Sequence, residues 1–268
     1  MMLGARTGAW AKYGGKKPPA YGGLCFTAEA DNSSVQLVAV GSAPAVTLVK
    51  SFDGVNWEAY EVGEVIDLPS IGKYVYLAAG EGGNERFGSS TSNYHKFVIN
   101  GLVAASGDIT SLRRFNLSQT ALGAYCYIHM FDGCIGLTRA PELPATTLAS
   151  HCYRNMFYGC TGLTNAPELP ATTLANYCYA SMFGGCTGLT SAPELPATTL
   201  KTQCYAYMFE GCKNISIIKI HFTVWDLSAL DGWVIGVASI GTFYKPTALP
   251  EEYGTSKIPT GWAVVNIG

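Results

Sequence analysis

The feature of this sequence that most constrains its fold is a 26-residue repeat. Three segments open with APELPATTL, at Ala140, Ala166 and Ala192, and continue into a CYxxMFxGC pattern. A degenerate copy precedes them, with Leu122 and the stretch Cys126–Cys134 in the same register. A period of this length is the signature of repeated units that cannot bury their apolar faces alone. We therefore expect the copies to stack on one another.

Within one repeat, the residue pattern predicts a short strand, a turn, a short helix and a second turn. The two prolines of the PELP motif exclude a helix interior and limit strand pairing, so a short strand is expected at about Leu137–Ala140. In the stretch 149–158, Cys152, Met156 and Phe157 follow helical spacing. This spacing predicts a short helix with one apolar face, ended by the glycine that follows it.

The chain as a whole is expected to be a mixed α+β protein of four parts. Residues 21–110 hold short β-rich runs separated by turn residues, the pattern of a small β-sandwich, with a hairpin turn at Asp53–Gly54. Residues 111–224 predict a solenoid of about four 26-residue repeats. Residues 225–268 are expected to cap this solenoid with a helix and a terminal strand. Residues 1–20 are expected to form an N-terminal anchoring segment.

Composition excludes several classes of function. Charged residues make up only 13% of the chain and the net charge is −2, whereas nucleic-acid binding requires a basic patch. No apolar run approaches the roughly 20 residues that span a bilayer, so membrane insertion is not expected. The first residues are basic in part but lack the apolar stretch of an ordinary secretory signal.

The cysteines form two columns, one at each end of the predicted helix, and three interpretations compete. Zinc binding is one, but zinc sites favour closely spaced pairs with companion histidines. Disulfides are a second, although a bridge within a stacked column would distort the repeat. Buried free thiols that pack as small apolar side chains are the third and favoured interpretation. The columns are Cys126, Cys152, Cys178, Cys204 and Cys134, Cys160, Cys186, Cys212.

No enzyme activity, cofactor or metal is expected, because the sequence holds no catalytic motif. It has no GxSxG, no phosphate-binding loop motif and no histidine pair of the HExxH type.

One acidic column is the exception to this absence of signals. Glu142, Glu168 and Glu194 would stand about 5 Å apart in stacked repeats. Solvation relieves their repulsion in the favoured interpretation, and a bridging calcium ion is the alternative.

Comparison of the repeats with one another separates fixed positions from variable ones. Fixed positions are assigned to the core or to turns, whereas variable ones are expected to be exposed on one lateral face beside the predicted helix. Tyrosine, histidine and asparagine suit contacts with sugars or protein, and an ordinary solvated face is the alternative. The candidate binding residues are Tyr125, His129, His151, Arg154, Asn155, Tyr158, Tyr177, Gln203, Tyr207 and Glu210, and Asp132 and Ser181 vary with them.

The pattern APELPATTLxxxCYxxMFxGCTxLT resembles the BspA-type leucine-rich repeats. These repeats occur in surface proteins and phage-encoded proteins of gut Bacteroidales. The match covers about residues 112–220. The flanking stretches SFDGVNWEAY and IPTGWAVVNI look like the regions that accompany such repeats, and the opening MLGARTGAWAKYGG is similar to the starts of gut-phage structural proteins. The family offers no catalytic residues to carry over.

This resemblance implies an adhesive or virion-surface role. The function expected from it is a phage virion protein, either a tail or head fibre or a decoration protein, that displays its repeats to a host-surface glycan or protein. Residues 1–20 would anchor it to other virion proteins, and a homo-oligomer is expected, with the trimer of many fibres as the analogy. The alternative is a bacterial cell-surface adhesin with the same repeats.

Overall fold

A computed structural model describes residues 23–115 and 119–268, so the predicted anchor at residues 1–20 lies outside the described residues. The described part contains twelve strands, one 3-10 helix and no α-helix. It therefore has no helix that could span a bilayer. The elements are β1 (Cys25–Ala28), β2 (Ser33–Val40), β3 (Leu48–Ser51), β4 (Glu58–Tyr60), β5 (Val65–Leu68), β6 (Tyr74–Ala79), β7 (Tyr94–Asn100), β8 (Val103–Ser106), η1 (Ile109–Leu112), β9 (Leu137–Arg139), β10 (Ile217–Lys219), β11 (Thr242–Pro246) and β12 (Ala263–Ile267).

The prediction of a mixed α+β fold is wrong, because the described residues form an almost all-β protein. Its strands make three sheets, in the orders β4-β3-β6-β1-β8-β9, β5-β2-β7 and β10-β11-β12. None of these sheets closes on itself or runs through the repeats as the sheet of a solenoid. The three full repeats lie between β9 and β10, the degenerate copy precedes β9, and all consist mainly of turns and short extended segments.

The predicted helix at 149–158 is a series of tight turns, because its amides divide between two directions. The N–H of Tyr153 donates to the carbonyl of Cys178 in the next repeat at 3.0 Å, and alternate residues do the same. The amides between them close local turns, as the N–H of Met156 does to the carbonyl of Tyr153 at 3.2 Å. An α-helix would need every N–H to donate four residues back. Bonding between repeats therefore takes the place of helical bonding.

A left-handed residue at every fourth position also prevents helix formation. The angle φ is 61° at His151, 56° at Asn155 and 70° at Gly159, whereas helical residues need φ near −63°. Burial follows the same period, since Cys152 and Met156 are fully buried four residues apart. A period of four is close enough to the helical 3.6 for the sequence pattern to resemble an amphipathic helix.

The N-terminal region is rich in strands, as predicted, with β1 to β8 between residues 25 and 106. Strands β3 and β4 pair antiparallel around the hairpin loop, where Gly54 has a φ of 76°. Side chains from the two N-terminal sheets meet in a common core. Phe26 on β1 and Phe97 on β7, for example, have ring centroids 4.8 Å apart.

The core continues from the N-terminal region into the repeats without a break. The N–H of Phe97 donates to the carbonyl of Met130 at 2.7 Å, and the thiol of Cys134 donates to the carbonyl of Phe97 at 3.1 Å. The ring of Phe87 stacks on that of Tyr127 at 5.9 Å. The N-terminal region thus presents to the first repeat the same groups that each repeat presents to the next.

Two aromatic columns run through the centre of the stack. Their rings are buried and nearly parallel, with centroids 5.2 to 6.0 Å apart. Aromatic residues bury the largest areas of any side chains, so these columns dominate the core. They are Phe97, Phe131, Phe157, Phe183, Phe209 and Tyr127, Tyr153, Tyr179, Tyr205.

All nine cysteines are free and buried, as the interpretation of packed thiols predicts. The second column has a regular partner, since the thiol of Cys160 donates to the carbonyl of Phe131 at 3.0 Å and its equivalents do the same. Burial raises the pKa of Cys134 to about 12. Among the described residues, no group of three or more His, Cys, Asp or Glu side chains could hold a metal ion.

The opposite side of each repeat is extended. Isolated parallel bridges join Thr147 to Thr173 and Thr173 to Thr199, and longer ladders are limited because the PELP prolines have no N–H to donate. The chains approach closely at Gly162, where a Cβ atom would lie 2.5 Å from the carbonyl oxygen of Ile135. This side exposes pairs of threonines that we call the threonine face: Thr146, Thr147, Thr172, Thr173, Thr198 and Thr199.

The C-terminal region closes the stack with a parallel sheet of β10, β11 and β12. The terminal strand is present as predicted, but the predicted helix before it is not. Instead, Gly232 and Gly236 have φ values of 57° and 71° and continue the turn pattern of the repeats. Trp233 ends the phenylalanine column, with its ring 6.2 Å from that of Phe209.

Candidate binding face

The ten candidate residues lie along one side of the stacked turns, together with Asp132 and Ser181. We call this side the variable face. Hydrogen bonds between repeats place its equivalent residues next to one another. The N–H of His151 donates to the carbonyl of Asn176 at 3.1 Å, and the N–H of Tyr177 donates to the carbonyl of Thr202 at 3.0 Å. The 26-residue period therefore becomes a set of columns on the surface.

The variable face is less exposed than the sequence predicts. Only Tyr158, at 42%, is an exposed residue, whereas the other nine candidates are half-buried. Among them, the rings of Tyr125, His151 and Tyr177 stack on their equivalents in neighbouring repeats and cover one another. The prediction of exposure is therefore wrong for nine of the ten residues, because it took no account of contacts between the variable side chains themselves.

Stacked rings form the most regular part of the face. The centroids of Tyr125 and His151 are 4.8 Å apart and those of His151 and Tyr177 are 4.5 Å apart, with interplanar angles of 19° and 12°. A second pair is formed by Tyr94 and His129 at 4.4 Å. Sequence reasoning missed Tyr94 because it lies outside the repeats. Since His151 has a ring on each side, this ladder presents ring edges to solvent.

Backbone strain is concentrated in the same residues. Left-handed backbone costs an L-residue roughly 1–2 kcal/mol, and glycine and asparagine tolerate it best. The repeats do place glycine at the third left-handed position of each turn, as at Gly159. The other two positions carry larger side chains, and seven of the ten candidates occupy them: Tyr125, His129, His151, Asn155, Tyr177, Gln203 and Tyr207, with φ between 50° and 61°.

Acidic groups at the two ends of the face are paired. At one end, Nδ1 of His129 and the carboxylate of Asp132 are 3.0 Å apart. At the other end, the hydroxyl of Tyr207 donates to Asp231 at 2.8 Å, and this hydrogen bond raises the pKa of Tyr207. Hydrogen bonding therefore holds the side chains at both ends in defined positions.

The middle of the face carries a positive charge. The guanidinium carbon of Arg154 lies 5.9 Å from the ring centroid of Tyr177, and no acidic side chain among the described residues forms an ion pair with it. The neighbouring His151 is 2.7 Å from the hydroxyl of Ser150. Burial lowers the pKa of His151 and the charge of Arg154 lowers it further, so this ring is neutral at pH 7.

Tyr158 has a different environment from the stacked rings. It packs on the next repeat at Gly184, where a Cβ atom would lie 2.8 Å from two of its ring carbons. The variable face therefore contains two kinds of aromatic residue. Stacked rings cover each other, whereas Tyr158 is supported by backbone and is open to solvent.

The acidic column lies away from the variable face. Nζ of Lys219 donates to the carboxylate of Glu194 at 2.9 Å, and Nε2 of His221 lies 2.6 Å from the same carboxylate. These contacts lower the pKa of Glu194. Glu142 and Glu168 are exposed. The ammonium group of Lys219 and solvent therefore relieve the repulsion between these carboxylates.

Comparison of the chain with protein-family models, curated proteins and solved structures finds no match. The resemblance to BspA-type repeats therefore rests on the amino-acid sequence alone. Function has to be argued from the variable face and from how its residues differ among repeats.

Proposed function

We propose that this protein is a non-enzymatic binding protein whose variable face contacts its partner. We further propose that it is a phage virion protein, either a tail or head fibre or a decoration protein. The binding role is supported by the geometry of the face. The virion setting is supported by the resemblance of the repeats and of the opening residues to phage-encoded proteins.

The observation that carries the binding role is where two nearly identical repeats differ. The repeats that begin at Ala140 and Ala166 differ at six of 26 positions, and five of the six fall within residues 150–158 of the first repeat. The threonine face is unchanged between them although it is exposed, whereas most of the variable face is half-buried. Exposure to solvent therefore does not explain where the two repeats differ. Adaptation of the variable face to a partner does explain it.

Backbone strain supports the same proposal. At the left-handed positions, glycine or asparagine would relieve strain, yet six of the eight that do not carry glycine in the repeats are tyrosine, histidine or glutamine. Local strain that stability alone would remove is a feature of functional sites. We infer that these side chains serve recognition at some cost to stability.

In the virion setting, the variable face would meet a host-surface glycan or protein, and residues 1–20 would anchor the chain to other virion proteins. Assembly as a homo-oligomer, with the trimer of fibres as the analogy, belongs to this proposal. A bacterial cell-surface adhesin is the second candidate, because it would use the same face towards a different partner.

Immunogold labelling separates the two settings. Antibodies to the repeats are applied to phage particles purified from a Bacteroidales culture and to the host cells. We expect label at a fixed place on the particle, and soluble protein should reduce adsorption of that phage to its host. Label confined to cells would move the protein to the adhesin setting. Soluble protein that neither binds cells nor affects adsorption would contradict the binding role itself.

A further inference from the structure

The middle of the variable face combines a cation that has no acidic partner with an open aromatic ring. Arg154 forms no ion pair among the described residues and lies against the ring of Tyr177. Asp132 is engaged by His129 at 3.0 Å. Glu210 belongs to a repeat two steps further along the stack, about 10 Å away at a spacing near 5 Å. The contact with the ring of Tyr177 therefore holds the guanidinium of Arg154 in place, and its charge remains available to a ligand.

The groups around Arg154 add no competing charge. His151 is neutral at pH 7, and Asn155 and Ser181 carry no charge. Ala180 replaces the arginine in the next repeat and is buried. A guanidinium donates through a planar fork that matches a carboxylate in two parallel hydrogen bonds. Phosphate groups match the same fork, and we infer a carboxylate as the ligand group at this position.

Tyr158 supplies what a saccharide needs beside that carboxylate. Its ring is seated on the backbone at Gly184, is 42% exposed and has no stacking ring among the described residues. A tyrosine offers apolar area for the C–H groups of a sugar ring and a hydroxyl for a hydrogen bond. It lies in the same turn as Arg154, four residues further on.

Building on the proposed function, we propose that the variable face binds an acidic saccharide. Arg154 contacts the carboxylate of a uronic or sialic acid, and Tyr158 contacts the sugar ring. An acidic peptide fits less well, because peptide anchors need apolar pockets. The cavities at Val234–Thr260 and Lys50–Glu58 lie elsewhere on the molecule.

The test uses surface polysaccharides from gut Bacteroidales strains, each immobilised in its native form and after reduction of its carboxyl groups to alcohols. The full chain is compared with Arg154→Ala, Tyr158→Gly and the control Thr172→Ala. The first two substitutions introduce residues that the next repeat carries at these positions, Ala180 and Gly184, so folding should be retained. Melting curves check that each variant keeps its fold.

We expect the full chain to bind at least one native polysaccharide and to bind its reduced form at least tenfold more weakly. Arg154→Ala should lose at least tenfold in affinity for the native form and show no preference between the two forms. Tyr158→Gly should weaken binding to both forms, and Thr172→Ala should change neither. These differences assign the carboxylate to Arg154.

Other outcomes would overturn the inference in distinguishable ways. Equal binding to native and reduced polysaccharide would exclude carboxylate recognition but leave the proposed function standing. Binding to host cells that protease treatment abolishes, with no binding to polysaccharide, would point to a protein receptor. Absence of binding to both polysaccharides and cells would contradict the proposed function as well.

Discussion

The variable face and the threonine face lie on the same repeats and differ in almost every physical respect. Threonine side chains are exposed, identical from repeat to repeat and carried on extended backbone with no left-handed residue. Residues of the variable face are mostly half-buried, differ between repeats and lie on left-handed backbone at seven of ten positions. Sequence differences between the repeats therefore occur at residues with strained backbone and side-chain contacts. Exposure to solvent does not account for them.

This difference separates the residues that stabilise the stack from the residues that vary between repeats. The columns of phenylalanine, tyrosine and cysteine stabilise the stack from within, and the close approach at glycines fixes the extended side. The remaining side chains of each turn are then free to change. Four measurements on stability test this separation, from the largest expected effect to the smallest.

The largest effect is expected from adjacent residues that belong to the core and to the variable face. Phe157 is fully buried in the phenylalanine column, whereas Tyr158 is 42% exposed. Phe157→Ala should lower the free energy of unfolding by about 3–5 kcal/mol, and Tyr158→Ala by less than about 1 kcal/mol. Chemical denaturation measures both. Similar losses from the two variants would mean that the variable face is part of the stabilising core.

A second pair compares a glycine in the extended part of a repeat with a glycine in the turns of the variable face. A Cβ atom at Gly162 would meet the carbonyl oxygens of Ile135 and Leu137 at 2.5 and 3.2 Å, and this backbone cannot move aside. A Cβ atom at Gly184 would meet the ring of Tyr158 at 2.8 Å, and this ring can rotate into solvent, whereas the carbonyl oxygen of Ser181 lies at an ordinary contact distance of 3.6 Å. Gly162→Ala should therefore cost about 1–3 kcal/mol and Gly184→Ala less than about 1 kcal/mol. The reverse order in thermal melts would refute this account of the close approach.

Relief of strain gives the third effect. Gln203 has a φ of 50° and no ring stacked on it, so Gln203→Gly should leave stability unchanged or raise it by up to about 1 kcal/mol. Thr199→Gly on the threonine face should cost about 0.5–1 kcal/mol, because glycine gains more freedom in the unfolded chain. Equal losses from the two substitutions would show that the left-handed backbone at Gln203 is not strained.

The smallest effect concerns pH. Burial and the charge of Arg154 hold the pKa of His151 below its ordinary value, which is about 6.5 in an unfolded chain. As pH falls below about 6.5, the unfolded state binds this proton first, so His151 leaves stability intact above that pH and lowers it below. Arg154→Ala should raise the pKa of His151 in an NMR titration and reduce this loss. A pKa of His151 that does not change would show that the charge of Arg154 does not affect the protonation of His151.

Much of the architecture could be predicted from the sequence, because strand and repeat signals are local. The β-rich N-terminal region, the hairpin at Gly54, the strand at Leu137–Arg139 and the terminal strand are present where expected. Buried free cysteines also agree with the structure. Each of these features depends on residue types within a few positions or on the period itself.

The turns of the repeats could not be predicted, because their bonding is not local. Cys152 and Met156 repeat every four residues in a way that a helix also requires, and the two structures are distinguished by the hydrogen bonds to the next repeat and by the left-handed residues between them. Half-burial of the candidate residues has the same origin, since His151 is covered by Tyr125 and Tyr177 from neighbouring repeats. Tyr94 carried no signal because it lies outside the repeats.

We propose that the variable face binds a partner and that the threonine face does not, and a comparison of two variants distinguishes the two faces. One variant carries His151→Tyr, Arg154→Ala, Asn155→Ser and Tyr158→Gly, which are the residues of the next repeat, and the other carries Thr146→Ala, Thr172→Ala and Thr198→Ala. Binding of each labelled chain to Bacteroidales host cells is compared with that of the unaltered chain. Both variants should fold, and only the first should lose binding to the host cells. Loss of binding in the second variant with full binding in the first would contradict the proposal.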